Sequence, residues 1–154
     1  FGAALYAIAP WEEMPDESAE TVTMRWATTT SYTWIYDDGR YYRHIGETTP
    51  IPHMVVDQDG VEEQVSAEVL VVIEGTRYVA IPAAGVKGNA VPAIDTIGSG
   101  EVKVFYQGTV KTGTWERSNA ADAFTFTTSS GDPLTVPPGD PWIAIFPEQR
   151  AIRW

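Results

Sequence analysis

The sequence predicts an all-β domain of about eight mostly antiparallel strands in a sandwich or open barrel, preceded by a short N-terminal helical or extended arm. Three observations predict it. From Thr21 onward apolar and polar residues alternate at period two, as half-buried strands require. Turn-forming clusters punctuate the runs: Gly98-Ser99-Gly100, Ser130-Gly131-Asp132-Pro133 and Pro137-Pro138-Gly139-Asp140-Pro141. Strong helix signals are absent after residue 20.

Residues 1–20 stand apart as an arm and acidic linker, leaving 21–154 as the β domain. GAALYAIA (2–9) is small, apolar and compatible with a helix, while PWEEMPDESAE (10–20) carries two prolines and five acids. In TVTMRWA (21–27), Val22, Met24 and Trp26 share one face, and Thr21, Thr23 and Arg25 the other. YTWIYD (32–37) is the second strand, with Tyr32, Trp34 and Tyr36 on one face. Asp37-Asp38-Gly39 suits the positive-φ positions of a tight hairpin, and RYYRHI (40–45) returns from it. VSAEVLVVIE (65–74) is the most apolar run and reads as a central strand. The mixed segment 75–98 holds one further strand, Arg77 to Ile81, and a long loop. EVKVFYQG (101–108), VKTGTWER (110–117), AFTFTT (123–128) and WIAIFP (142–147) complete the set.

A chain of 154 residues is one ordinary domain and needs no staple to fold. Its 10 basic and 21 acidic residues give a net charge of -11, a field that repels phosphate backbones and anionic lipid. Nucleic acid is therefore not an expected partner. The absence of cysteine excludes disulfides, thiol catalysis and thiolate metal sites. No apolar run approaches the ~18 residues of a membrane helix, so direct membrane insertion by this segment is not expected. The chain opens on Phe1, which reads as a processed product, a fragment, or numbering that starts inside a longer precursor.

The chemistry concentrates in WIYDDGRYYRHIGETTPIPHMVVDQDG (34–60), which contains both histidines of the chain. His53 with Asp57 four residues on suits a base and its orienter, or two metal ligands, with Arg43 close by in sequence. Neither a G-x-S-x-G nucleophile nor a second histidine at helical spacing accompanies them. Structural roles weigh more: His53 bonding a loop backbone and Asp57 capping a turn. Asp57-Gln58-Asp59-Gly60 resembles the opening of a calcium loop, with Glu68 twelve positions along as the closing ligand. The run is two residues short, and an ordinary hairpin turn explains it better. Trp34, Tyr36, Tyr42, Trp115 and Trp142 suit a platform for sugar rings, or the core and rim of a β-fold, which aromatics favour in any case. As a ligand-binding surface the candidates are Trp34, Tyr36, Asp37, Tyr42, Arg43, His53 and Trp142. No cofactor motif is present.

Several of these residues carry a family resemblance. Trp34-Ile35-Tyr36-Asp37, then Tyr42, His53 and Asp57, resemble the W-x-Y-D … Y-x-R … G-x-x-H-x-D pattern of the YerB-type lipoproteins. Gly98 to Gly108, Gly113-Thr114-Trp115-Glu116-Arg117 and Gly131 to Ile143 resemble that family's later motifs in the same order. The likeness covers roughly residues 20 to 147. It departs at Tyr41-Tyr42-Arg43, where only Tyr41 has the family spacing to the arginine. It departs again in a longer loop between Gly46 and His53, and at Glu68-Val69, where the family carries Asn-Val. The resemblance implies a C-terminal domain of a bacterial, extracytoplasmic protein with a lipidated signal and another domain upstream, and no established chemistry.

The expected function is thus a non-catalytic binding or assembly module, whose partner is a protein, an upstream domain of the same precursor, or an envelope glycan. Its rivals are a hydrolase or transferase acting on an envelope glycan through Arg43, His53 and Asp57, and a structural subunit that pairs its arm or its closing Ile152-Arg153-Trp154 with a neighbouring chain. With no complete ligand set at Asp57, Asp59 and Glu68, a chelator is expected to leave the melting temperature unchanged. A fall that calcium restores would place a metal there.

Overall fold

The computed structural model describes residues 4–154. Fifteen strands follow one another: β1 Thr21–Ala27, β2 Thr30–Asp37, β3 Arg40–Ile45, β4 Ile51–Pro52, β5 Met54–Val56, β6 Glu62–Gln64, β7 Ser66–Ala67, β8 Val69–Gly75, β9 Arg77–Ala80, β10 Val91–Ile94, β11 Gly98–Tyr106, β12 Thr109–Arg117, β13 Thr125–Thr127, β14 Pro141–Pro147 and β15 Ile152–Arg153. One sheet runs β15-β1-β2-β3-β4, with β7 also on β3. The other runs β13-β12-β11-β8-β14. Two ribbons, β5–β6 and β9–β10, stand apart from both sheets. The fold is an all-β sandwich.

The strands expected from the alternation are present with one correction: the run 65–74, expected as a single strand, breaks at Glu68, whose N–H turns to Asp140 O, into β7 on β3 and β8 in the other sheet. Asp57-Gln58-Asp59-Gly60 is a hairpin turn, as expected, and it joins β5 to β6 in a small ribbon. Arg77 to Ala80 is a strand, as expected, and it pairs with β10 to form the second ribbon.

Strand β8 explains the layering. All seven of its residues are buried. Leu70 and Val72 pack with Val22, Met24, Trp34, Tyr41, Phe105 and Phe146 between the two sheets. Val69, Val71 and Ile73 point to the opposite face and pack with Val102, Val104, Trp115 and Phe126. Both faces of the five-stranded sheet therefore need a cover, but the chain has only one other large sheet.

The N-terminal arm and the segment before β14 supply the second cover. The arm is extended: Ala9 N–H donates to Val136 O at 3.0 Å and Val136 N–H to Ala7 O at 3.0 Å. Tyr6 is buried and stacks on Phe126 with ring centroids 5.6 Å apart. The Trp11 indole donates to Thr135 O at 2.7 Å. Among the described residues there is no helix, so the helical form of the arm is set aside; positions 2 and 3 of that segment lie outside the described residues. The acidic stretch is also held to the body. Ala19 N–H donates to Gly108 O at 2.7 Å, Tyr36 N–H to Glu20 O at 2.8 Å, and the Tyr41 hydroxyl to Ala19 O at 2.9 Å. At the other end of the chain, Ile152 and Arg153 pair with Met24 and Thr23 of β1. The described part of the arm and Ile152-Arg153 are thus engaged by their own chain.

Because the arm covers a core face, Tyr6→Ala is expected to cost about 3 kcal/mol in denaturant melts, as loss of a buried large side chain does. Leu5→Ala, at 40% exposed against 5% for Tyr6, is expected to change stability by less than about 0.5 kcal/mol.

Candidate functional site

Hairpin β2–β3 closes on a turn with Asp38 at φ 41° and Gly39 at φ 90°, the paired positive values of a type I′ turn. That turn fixes the register, which sets Tyr36 beside Tyr41, Trp34 beside Arg43 and Tyr32 beside Ile45. These pairs share the face turned toward the second sheet; Tyr42 and His44 take the opposite face by alternation. The consequence is a guanidinium among aromatic rings. The Arg43 carbon Cζ lies 3.7 Å from the Tyr32 ring centroid, 4.8 Å from Trp142 and 5.7 Å from Trp34. Trp142 arrives from the edge strand β14 and packs on Trp34 at 5.2 Å. Arg43 Nη1 donates to His53 Nδ1 at 3.0 Å. Arg43 has no carboxylate partner among the described residues, and its Nε is buried without a hydrogen-bond acceptor. Burial pushes the guanidinium below its ordinary value. The ring faces offset part of that cost by cation–π attraction.

The structure thus brings together Trp34, Arg43, His53 and Trp142 and adds Tyr32. It separates the others. Tyr42 lies on the outer face, and Tyr36 packs on Tyr41 at 5.3 Å and reaches Gln107. Asp37 is exposed at the hairpin end. Trp34 and Trp115 are both fully buried, the Trp115 indole donating to Glu74 O at 2.7 Å, so neither can serve as a platform. Gly100 permits that bond, since a Cβ there would lie 2.6 Å from the Trp115 Nε1.

His53 and Asp57 do not form a base and orienter. The guanidinium only donates, so His53 Nδ1 accepts and the imidazole proton sits on Nε2. The nitrogen that could act as a base is therefore taken by Arg43. Asp57 instead caps its own turn, accepting from Asp59 N–H and Val61 N–H at 2.9 Å each. Glu68 is engaged elsewhere: it accepts from Asp140 N–H at 3.2 Å and faces Arg40 at 3.6 Å. Asp57, Asp59 and Glu68 are therefore not gathered as ligands, and the described residues hold no group of three acids or histidines suited to a metal.

A second site lies on the inward face of the five-stranded sheet. Beyond Phe105 this face carries Lys103 and Glu101 on β11 and, opposite them, Thr112 and Thr114 on β12. Glu74, on the same face at the end of β8, forms a close ion pair with Lys103, and both are buried, at 5% and 7% exposed. Lys103 also reaches Glu101 at 3.1 Å. Trp154 closes one side, its indole donating to Glu17 at 2.9 Å while its ring meets Phe105 edge-on at 5.6 Å. Here the sheet face lies open in two adjoining concavities that share Glu101 and Thr114. One is about 530 Å³, lined by Glu74, Ser99, Glu116 and Glu148 among others. The other is about 430 Å³ and reaches Lys103, Thr112, Trp154 and Glu17. Burial pushes the Glu74 carboxyl up against the pull of Lys103, whereas the hydrogen bond from Lys103 holds Glu101 below its ordinary range.

Sequence reasoning passed over this groove, although a signal was there. Glu74 continues the Leu70 and Val72 parity of an otherwise apolar strand, and Lys103 that of Phe105. A charge on an inward position implies a partner, and here the two are each other's.

With the fold and both sites described, the relatives can be placed. A family model described as "Protein of unknown function (DUF3048) C-terminal domain" matches residues 21–143. The chain belongs to this family. The crystal structure of YerB protein from Bacillus subtilis matches with a TM-score of 0.63 at 19% identity, over 92% of this chain and 46% of that one. The domain therefore spans less than half the length of that solved relative, and a likeness at this identity speaks for the DUF3048 C-terminal fold. Among curated proteins none matches. The resemblance read from the motifs and the family match agree.

Replacing Lys103 tests the buried pair. In Lys103→Met, Glu74 keeps the burial that raises it and loses the ammonium that lowers it. The fold then holds the proton to higher pH than the unfolded chain does. Stability is therefore greatest below the ordinary glutamate value of 4.5 and falls as pH climbs through the folded value. The variant is expected to lose about 3–5 kcal/mol at neutral pH in urea melts, and much less in acid; a loss independent of pH would show that Glu74 is not the group left uncompensated.

Proposed function

We propose that this domain is a non-catalytic binding module of a bacterial cell-envelope protein, placed outside the cytoplasm. It takes a basic, extended segment of a protein partner in the groove over β11 and β12. The observation that carries the reading is the groove: a run of open sheet face with glutamates at 17, 74, 101, 116 and 148 along its walls against the one ammonium of Lys103. An open sheet face accommodates an extended chain, and a wall of carboxylates selects a cationic one. The net charge of -11 draws such a segment from a distance. The extracytoplasmic placement rests on the likeness to the YerB-type lipoproteins. A partner within the same precursor is consistent with a solved relative of which this domain matches 46%.

The glycan reading keeps one support, the half-exposed Trp154 beside the hydroxyls of Thr112 and Thr114, which suits a sugar ring. The hydrolase reading has none at Arg43 and His53, where the imidazole is oriented by a cation.

Titration of the domain with a short oligolysine peptide is expected to shift Trp154 fluorescence, with an affinity that falls steeply as salt is added. A Glu101→Gln, Glu116→Gln double variant is expected to weaken binding at least about tenfold, roughly 1.4 kcal/mol, while the melting temperature falls only slightly, because the Lys103–Glu101 contact it removes is exposed on the Glu101 side. Equal response to oligoglutamate, or a response only to neutral oligosaccharides, would overturn the basic-segment reading, the latter in favour of a glycan.

A further inference from the structure

A smaller cavity lies on another side of the molecule, where ribbon β9–β10 joins the body. The ribbon prolongs the antiparallel pair β8–β11 past Gly75 and Asp95. Gly75 makes the close approach possible, because a Cβ there would lie 2.8 Å from the Ile94 Cγ2 and overlap the Asp95 carbonyl. The base of the ribbon thus leans on the end of β8, with Asp95 N–H donating to Thr76 O at 2.8 Å. Between this base and the ends of β1 and β14 remains a cavity of about 270 Å³. Its walls are Trp26, Pro92, Ala93, Ile94 and Pro147, and two arginines, Arg77 and Arg150, line it with them.

The electrostatics of this cavity are opposite to those of the groove. Among the described residues neither Arg77 nor Arg150 has a carboxylate partner, although acids outnumber bases 21 to 10 in the chain. The nearby acids are otherwise engaged. Asp95 caps its own turn, accepting from Ile97 N–H at 2.9 Å, and Glu148 accepts from Thr76 at 3.0 Å and lines the other cavity. Two guanidinium groups beside one apolar cavity repel each other until an anion lies between them, and the planar fork of arginine suits a carboxylate. The walls supply the rest of the selectivity. Trp26, held edge-on against Phe146 at 4.8 Å, and the prolines offer apolar faces and few other polar groups. Concave, mainly apolar sites with a few convergent polar groups are where small ligands bind.

We propose that this cavity binds a carboxylate carried on an aromatic or branched apolar group, the carboxylate held by Arg77 and Arg150 and the apolar part against Trp26 and Ile94. The volume corresponds to roughly nine water molecules, enough for one ring or one side chain. A free acid and the C-terminal residue of a polypeptide present the same chemistry.

The probes are phenylacetate and a short peptide ending in phenylalanine, each beside its amide. Binding is followed by the Trp26 indole signal in proton–nitrogen NMR spectra. Phenylacetate, the peptide acid, or both are expected to shift that signal, and each amide to bind at least about tenfold more weakly, a difference of roughly 1.4 kcal/mol. Response to phenylacetate assigns a free acid; response to the peptide alone assigns a chain terminus. Arg77→Gln and Arg150→Gln are each expected to weaken binding by a similar factor with unchanged melting temperature, because neither side chain has an ion pair among the described residues. Arg153→Gln, which only loses its contact with Glu47 at 3.2 Å, is expected to leave binding as it is. Equal binding of acid and amide, indifference to both arginine substitutions, or no shift of Trp26 at saturating probe would overturn the assignment.

Discussion

The fold depends on the burial of β8 from both sides. A strand of Val69 to Ile73 flanked by β11 and β14 offers apolar side chains up and down. Each fully buried residue of this kind contributes about 1.5–3 kcal/mol only when its own face is covered. One cover is the six-stranded sheet. The other is assembled from parts with little regular structure: Tyr6 of the arm, Phe124 and Phe126 around β13, and Leu134 and Val136 before β14. The parallel pairing of β14 with β8 follows from this arrangement, since the chain crosses that second face before it returns to the sheet.

The sandwich is uneven, and its polar chemistry collects where the two sheets fail to overlap. At the β14 edge the gap is filled by Arg43, whose long stem spans the space while ring faces stand in for a counter-ion. On the β11–β12 side no strand among the described residues covers the sheet, and Lys103 and Glu74 neutralise each other at the boundary between core and groove. The same logic of incomplete cover gives the third cavity, beneath the ribbon that outruns the second sheet. At the first two places the charged groups sit on strands, Arg43 on β3, Glu74 on β8 and Lys103 on β11, and are held in position by their neighbours.

The charge pattern is correspondingly divided. Most carboxylates face solvent or the groove, while the cations are tied down singly: Arg25 and Arg153 on Glu47, Arg40 on Asp140 and Ser66, Arg117 on the carbonyls of Ala120 and Asp122. Arg77, Lys87 and Arg150 lack such ties among the described residues, and Arg43 and Lys111 lie over aromatic rings instead. What sets Arg77 and Arg150 apart is that the two line one cavity together.

The sequence by itself determined the principal strands, apart from the break at Glu68, the hairpin at Asp38-Gly39 and the family, since alternation and turn chemistry are local properties that a strand carries wherever it packs. It also made a turn cap the better reading of Asp57, because an Asx-type cap needs only the next few residues. What it did not contain in readable form was every fact that depends on which faces meet. The extended path of the arm follows from a sheet face elsewhere that lacked a cover. The pairing of Glu74 with Lys103 joins residues 29 positions apart through strand register. Arg43 meets Trp142 only because an edge strand from the end of the chain passes over β2 and β3. Those contacts are set by sheet order and overlap, which no local pattern encodes, and they decide where this domain keeps its usable charge.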